Sequence, residues 1–325
     1  MRHPTLGNVF TASWPTKFLF MSNAIQSGTT RTPFTTKALS QKLGEIHSTT
    51  STDFKAFTSI ELLVVLGVIA LLAAMALQGL SQARQRAQGA YCLNNQKQLV
   101  MAWKMYADDN SGRLVPNHDG TGVDLSTSWV VGYLSFDDGN QHNTNTQYLM
   151  SYRFGPYIRS LSVYKCPADI YQCTFNGGTV SLPRVRSVSM NGFIEGGAYS
   201  SSGLSTWYGS SGWLAYNKLT DIIKPAPADL FVFVDEHADS INDGWMITVV
   251  TNANNWEDLP ASYHNGACGI SFADGRAEMH KWLESTTKAP VQYLPSSPLP
   301  NGVAWPAPGS RDTPWMIQHS SAQSR

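Results

Sequence analysis

Residues 57–80 read FTSIELLVVLGVIALLAAMALQGL, and from Leu62 to Leu77 sixteen consecutive positions carry neither a charge nor a polar side chain. A helix on the surface of a soluble domain keeps one polar face, and this segment has none. At 1.5 Å per residue the segment would make a helix of about 36 Å, enough to cross a hydrocarbon core. A secretory signal would be shorter and would sit at the extreme N-terminus. Residues 1–25 hold only the short patch Phe18-Leu19-Phe20-Met21. Charge placement agrees with a membrane segment. The chain has 23 basic and 23 acidic residues, but residues 1–56 hold six basic residues (Arg2, Lys17, Arg31, Lys37, Lys42, Lys55) against Glu45 and Asp53. A basic flank stays on the cytoplasmic side, which places the residues after 80 across the membrane. The neutral overall balance excludes a general nucleic-acid binder, which needs a basic surplus.

One charge interrupts the apolar run, at Glu61. A carboxylate near the start of a membrane helix is costly without a partner. A cut between Ala56 and Phe57 would create a cationic α-amino group four residues from Glu61. That amine could neutralise Glu61 of a neighbouring copy and fix the axial stagger of two apolar helices.

The segment Lys55-Ala56-Phe57-Thr58-Ser59-Ile60-Glu61-Leu62-Leu63-Val64-Val65 resembles the prepilin-type cleavage and methylation motif of type IV pilins and type II secretion pseudopilins. The resemblance implies a leader at 1–56 removed after Ala56 by a prepilin peptidase, N-methylation of Phe57, and assembly directed by Glu61. It also implies a single pass of the bacterial inner membrane, a periplasmic head, and other pilin or pseudopilin subunits as partners. Ala56 stands where glycine is usual, Gln78 where many relatives carry a kinking proline, and the leader is long. A start at Met21 would still leave 36 residues of it.

Residues 81–107 contain no proline, and Leu99, Ala102, Trp103 and Tyr106 fall at i, i+3, i+4 and i+7, an amphipathic face. Arg84 and Arg86 would lie just beyond the membrane. Gly112 after Asp108-Asp109-Asn110-Ser111 is a stop signal. The expected fold is therefore α+β. A pilin-like N-terminal helix occupies 57–110, with its membrane part at 57–80. A β-rich head comes next at 111–283, then a Pro-rich tail at 284–325. Strand-like runs are Thr127–Phe136, Leu161–Cys166, Val185–Ile194, Asp229–Asp235 and Trp245–Val250. Within Gly269–Lys281, Asp274-Gly275 reads as a two-residue hairpin turn that sets Phe272 opposite Ala277 and Ile270 opposite Met279. Seven prolines in 290–314 predict an extended tail without regular structure, with Trp305 and Trp315 pinning it to the head.

His264-Asn265-Gly266 and then Asp274-Gly275, with nine residues between His264 and Asp274, is similar to the H-X9-DG element of prepilin-type proteins abundant in planctomycete and verrucomicrobial bacteria. Tyr106–Pro116, Lys165-Cys166-Pro167-Ala168-Asp169 and Phe233–Gly244 also resemble segments of that group.

Asp235, Glu236, Asp239, Asn242 and Asp243 are dense enough in oxygen to hold Ca²⁺, as the resemblance to calcium-binding pseudopilins implies; a solvated acidic turn is the plain alternative. Asp108, Asn110 and Gly112 imitate the start of a calcium loop but lack its closing glutamate. His264 and Asp274 could pair catalytically or bind metal; the simpler expectation has His264 bonding the hairpin backbone and Asp274 serving the turn. His237 beside Asp235 reads the same way. Four cysteines allow three pairings. Because Cys92 and Cys166 fall in motifs that resemble those of the family while Cys173 and Cys268 look like additions, the resemblance implies Cys92–Cys166 with Cys173–Cys268 first, with a local Cys166–Cys173 bridge second and free buried thiols as the remaining option. Trp129, Trp207, Trp213 and Trp245 sit among Gly and Ser and are expected mainly in the core, with sugar stacking as the alternative. No hydrolase, zinc-protease or nucleotide-loop motif is present. The expectation is a structural filament subunit and not an enzyme. A membrane- or filament-anchored binding protein for a glycan or other partner is the competing class, and a hydrolase using Asp235 or His264 the third.

Overall fold

The computed structural model describes residues 58–118, 124–196, 212–294 and 305–324. The leader, with Ala56 and Phe57, lies outside the described residues, as does Trp207. The protein is α+β, with one long N-terminal helix and a β-rich body.

Helix α1 spans Ser59–Asp109, 51 residues. Thr58 caps it: Glu61 N donates to Thr58 Oγ1 (3.2 Å), and Thr58 N and Oγ1 donate back to Glu61 Oε2 (2.9 and 2.8 Å). This is the reciprocal capping box of a Thr-x-x-Glu sequence. Helix α1 is long and apolar enough to cross a membrane. Residues 58–77 are all exposed, Leu71 at 65%. From Cys92 onward one stripe is buried instead: Cys92, Asn95, Gln96, Leu99, Val100, Trp103, Tyr106 and Ala107. The helix ends where Ser111 and Gly112 turn left-handed (φ +57° and +78°) and Gly112 N donates to Ala107 O (2.8 Å).

The strands are β1 (Gln172–Phe175), β2 (Val180–Pro183), β3 (Val188–Asn191), β4 (Phe231–Asp235), β5 (Trp245–Met246), β6 (Asn255–Trp256), β7 (Ala267–Phe272), β8 (Ala277–Lys281) and β9 (Trp305–Pro306). The main sheet has the order β5-β3-β4-β7-β8, with β3-β5 parallel and the other pairs antiparallel. β1-β2 and β6-β9 form separate ribbons. Every residue of β4 is buried, as expected of an apolar central strand. An irregularity in the β4–β7 ladder between Phe231 and Phe233 gives both Val232 and Phe233 to one side. There they join Leu99, Trp103, Trp129, Phe154 and Tyr164. Phe231 and Val234 join Trp256, Leu259, Ile270, Trp282 and Met316 in a second cluster.

Several expectations are corrected. Thr127–Phe136 forms no strand; Trp129 is instead buried in the core, where its indole donates to Asn117 Oδ1 and Gly244 O (both 3.1 Å). Leu161–Tyr164 is a 3₁₀ turn started by Ser160. Only the short β3 and β5 occur within the two runs Val185–Ile194 and Trp245–Val250. The β7–β8 hairpin forms, but with Ser271 opposite Ala277, Ile270 opposite Glu278 and Gly269 opposite Met279, one residue from the expected register. Gly275 (φ +98°) donates to Phe272 O (2.9 Å) and Phe272 N donates to Arg276 O (2.8 Å). The loop is thus a turn plus a left-handed bulge residue, which shifts every pair by one. The tail is not without regular structure: helix α2 spans Asp312–Ser320. Pro314 falls in its first turn, where the missing N–H costs nothing. Asp312 accepts from Leu283 N, Glu284 N and Thr287 Oγ1, and Trp315 stacks between His280 and His319 (3.7 and 4.0 Å). Trp305 meets His237 edge-on, so both tail tryptophans contact the body.

Candidate functional site

Four sequence segments meet at one point. Cys92 lies on the buried stripe of α1, Cys166 in the loop after the Leu161–Tyr164 turn, Asp235 at the end of β4, and His264 in the turn before β7. Their sulfur, oxygen and nitrogen atoms all lie within 4.8 Å of one another. Cys92 Sγ donates to Asp235 Oδ2 (2.7 Å), and Cys166 Sγ lies 3.1 Å from His264 Nε2.

Each group is held from its own element. Asn95, one turn beyond Cys92, donates to Ser162 O and Lys165 O (3.2 and 3.0 Å) and so fixes the loop carrying Cys166. Cys166 N donates to Ser187 Oγ (2.8 Å). Asp235 takes Gly269 N on Oδ2 (3.1 Å) and Gln96 Nε2 on Oδ1 (3.5 Å). His264 opens a tight turn in which Asn265 and Gly266 are both left-handed (φ +55° and +81°), and His264 and Ala267 exchange backbone hydrogen bonds. Asn-Gly suits that turn, because both central residues need positive φ. Gly269 leaves room for the cluster: a Cβ there would lie 2.6 Å from Cys92 Sγ and 3.0 Å from Asp235 Oδ2.

Cys92, Cys166 and Asp235 are buried, and His264 is partly so. Burial pushes the Asp235 carboxyl up to about 7. The contact with Cys166, then burial, drives the Cys92 thiol well up. The Cys92 contact lowers the Cys166 thiol, but burial and the Asp235 charge outweigh it and the net shift is upward. Burial lowers His264. All four shifts favour the uncharged form. A nucleophilic cysteine needs access and a lowered pKa. Cys166 has neither, so its contact with His264 is not an activated dyad.

The sequence-derived sites fare differently. His264 and Asp274 sit at opposite ends of β7. The ring of His264 faces Cys166 and not the hairpin backbone, while Asp274 serves the turn by accepting from Arg276 N (2.8 Å). His237 bonds Ala289 O through Nε2 (3.0 Å). The five calcium candidates do not converge. Asp235 turns to Cys92. Glu236 accepts from Ser189 Oγ and Ser240 Oγ (2.5 and 2.8 Å), and Asp239 accepts from Gln292 N and Leu294 N (2.6 and 2.9 Å). Asn242 Oδ1 accepts from Asp243 N (2.7 Å), and Asp243 Oδ1 accepts from Trp245 N (2.8 Å). Oxygens committed in different directions make no calcium cage, so this segment does not fit that ion. The calcium-like start at Asp108 is a helix end, with Asn110 Nδ2 bonded to Tyr106 O (2.7 Å). All four cysteines are buried free thiols. Cys92 and Cys166 are neighbours but unbridged, and Cys173 Sγ donates to Leu182 O (3.2 Å), so neither the Cys173–Cys268 nor the Cys166–Cys173 bridge is formed. Trp129 and Trp245 are buried and offer no sugar platform.

The polar members of the buried stripe were the missed signal. Cys92 and Gln96 continue the face of Leu99 and Trp103 toward the N-terminus, and polar groups on an otherwise apolar face mark a site. No protein-family model, no curated protein and no solved structure matches this chain.

Proposed function

We propose that the chain is a structural subunit of a type II secretion pseudopilus or type IV pilus-like filament, a substrate of a prepilin peptidase and not itself an enzyme. In this reading the peptidase cuts after Ala56 and methylates Phe57, α1 enters the inner membrane, and the body lies in the periplasm. The observation that carries it is the coverage of α1. Residues 62–77 are apolar on every side, and none of the described residues covers them. Such a surface needs lipid or the same surface of other copies.

The start of the helix supports the same reading. Glu61 Oε2 takes both donors of Thr58, and among the described residues Oε1 has no partner. A neighbouring copy's Phe57 amine is a fitting one, since it would turn two costly charges into one pair. The binding-protein alternative has less support, because Trp129 and Trp245 are core residues.

The test is co-expression with a prepilin peptidase, then intact and N-terminal peptide mass spectrometry. The expected product begins at N-methylated Phe57. A chain left uncut both there and in its native host would overturn the proposal.

A further inference from the structure

We infer that Cys92, Cys166, Asp235 and His264 bind one divalent ion of the zinc class in a closed, four-coordinate structural site. The inference does not rest on the filament reading, since it concerns only the body and the buried part of α1.

The donor set is the first argument. Two thiols, an imidazole and a carboxylate are the ligand types of zinc, while calcium and magnesium take oxygen alone. Geometry is the second. Tetrahedral zinc, with bonds of about 2.0–2.3 Å, separates its ligand atoms by roughly 3.3–3.8 Å. The four donors already lie within 4.8 Å of one another, with Cys166–His264 at 3.1 Å and Cys92–Asp235 at 2.7 Å. Rotamer-scale adjustment closes the set around an ion.

The surroundings are built for the cluster. Gly269 supplies the space and an N–H to Asp235, Gln96 bonds the other Asp235 oxygen, and Ser187 and Asn95 set the loop of Cys166. Such outer contacts orient ligands and set affinity. These partners are neutral, so the ion offsets most of the charge of two thiolates and a carboxylate, and the occupied site carries a net charge of −1. On binding, the two thiol protons, and any proton held by the Asp235 carboxyl, leave to solvent as the metal–sulfur and metal–oxygen bonds form. A cleft of about 660 Å³ bounded by Arg86, Gly89, Ala90 and Asn265 reaches His264 and gives the ion a way in. Protein atoms fill all four positions, which leaves no open site for substrate; that is the mark of a structural centre. The ion would fasten α1 to the end of β4 and to two loops.

The experiment uses the full-length chain in detergent, purified with reductant and without chelator. Metal content is measured by plasma mass spectrometry, and the ion is then replaced by cobalt(II). The expected result is one equivalent of zinc per chain, and for cobalt the intense visible bands of a tetrahedral site with sulfur-to-cobalt charge transfer. Cys166→Ser and His264→Gln should each weaken binding by well over about tenfold, and Cys173→Ser should not. Gly269→Ala keeps all four ligands yet should cost about 10–100-fold by crowding Cys92 and Asp235. Near-ultraviolet circular dichroism checks that each variant is folded, and the wild-type cobalt spectrum decides even where one is not. Three results would overturn the inference. One is a folded, reduced wild-type chain that takes up no metal above the blank. Another is a charge-transfer band that survives in the Cys92→Ser, Cys166→Ser double variant. The last is wild-type protein from its native compartment with Cys92 and Cys166 joined, seen as a mass loss of two hydrogens.

Discussion

Residues 62–77 and residues 92–107 belong to one helix and live in opposite surroundings. The first stretch is apolar on all sides and exposed throughout; the second is mixed, and its apolar stripe is buried to the level of Trp103 at 0% exposure. Hydrophobicity alone therefore does not say what a helix packs against. The width of the apolar surface does. A stripe fits one partner, the chain's own body, whereas a surface that is apolar all round needs a surrounding medium or several partners. The stretch with fewer apolar residues is the one the fold depends on.

The sharpest test of that contrast is a pair of truncations. Trp103→Ala removes a fully buried side chain from the cluster that holds Trp129, Phe154 and Phe233. It should cost about 3–5 kcal/mol in denaturant unfolding of the body in detergent. Leu71→Ala removes an exposed side chain and should move the same midpoint by less than about 0.5 kcal/mol. Its effect should instead appear as weaker retention in membranes. Equal losses at both positions would break the comparison, because the first stretch would then be a core element too.

The same contrast explains what could be read from the sequence. The long helix was legible because its signals are local: an all-apolar run, then an amphipathic periodicity, then the Gly112 stop; the Thr58–Glu61 capping box went unread. β4 was legible as a short apolar run. The β7–β8 hairpin was legible, but not its register, since Asp274-Gly275 suits both a two-residue turn and the bulged loop that forms. Trp129 and its neighbours looked like a strand because aromatic residues are common in strands. Trp129 is a core residue whose indole bonds Asn117 and whose ring packs on Phe233, contacts that leave no periodic trace. The four donors belong to separate sequence patterns: Cys92 and Cys166 among the four cysteines, Asp235 in the acidic run, His264 in the H-X9-DG element. Cys92 and Asp235 are 143 residues apart and Cys166 and His264 are 98 apart, so only the folded chain brings them together.

The two stretches also differ in what can titrate around them. Leu62–Leu77 holds no ionisable side chain, whereas the body buries several acids. Asp258 is one. Its Oδ2 accepts from Ile247 N (2.5 Å). Burial, and the nearby charges of Glu236, Asp243 and Glu257, hold its carboxyl well above the usual range. The folded state thus keeps a proton that the unfolded state releases above about pH 4. Its contribution to stability is complete below that pH and is lost as pH rises toward the folded pKa. Asp258→Asn keeps the acceptor for Ile247 and cannot ionise. The variant should gain on the wild type between pH 5 and pH 8 in urea midpoints, by less than the Trp103 loss. Parallel curves would show that Asp258 does not set the slope. Helix content of residues 62–77 should stay flat across the same range.

The smallest effect isolates the first turn of α1. Thr58→Ala removes two of the three bonds of the capping box and should cost about 0.5–2 kcal/mol of local helix stability. That loss should be confined to the start of the helix, where amide exchange near Glu61 would quicken by up to about thirtyfold while the unfolding midpoint of the body stays put. Glu61→Gln makes the opposite cut. An amide oxygen at that position can still accept from Thr58, because glutamine serves this place in a capping box as well as glutamate does. The turn is then preserved and the charge is lost. If Glu61 acts only as a cap, Thr58→Ala should disturb incorporation into the proposed filament more than Glu61→Gln. If its charge meets the amine of a neighbouring copy, Glu61→Gln should abolish incorporation with exchange at the helix start unchanged. The ranking of these two variants therefore separates a helix that begins well from a helix that begins in order to be joined.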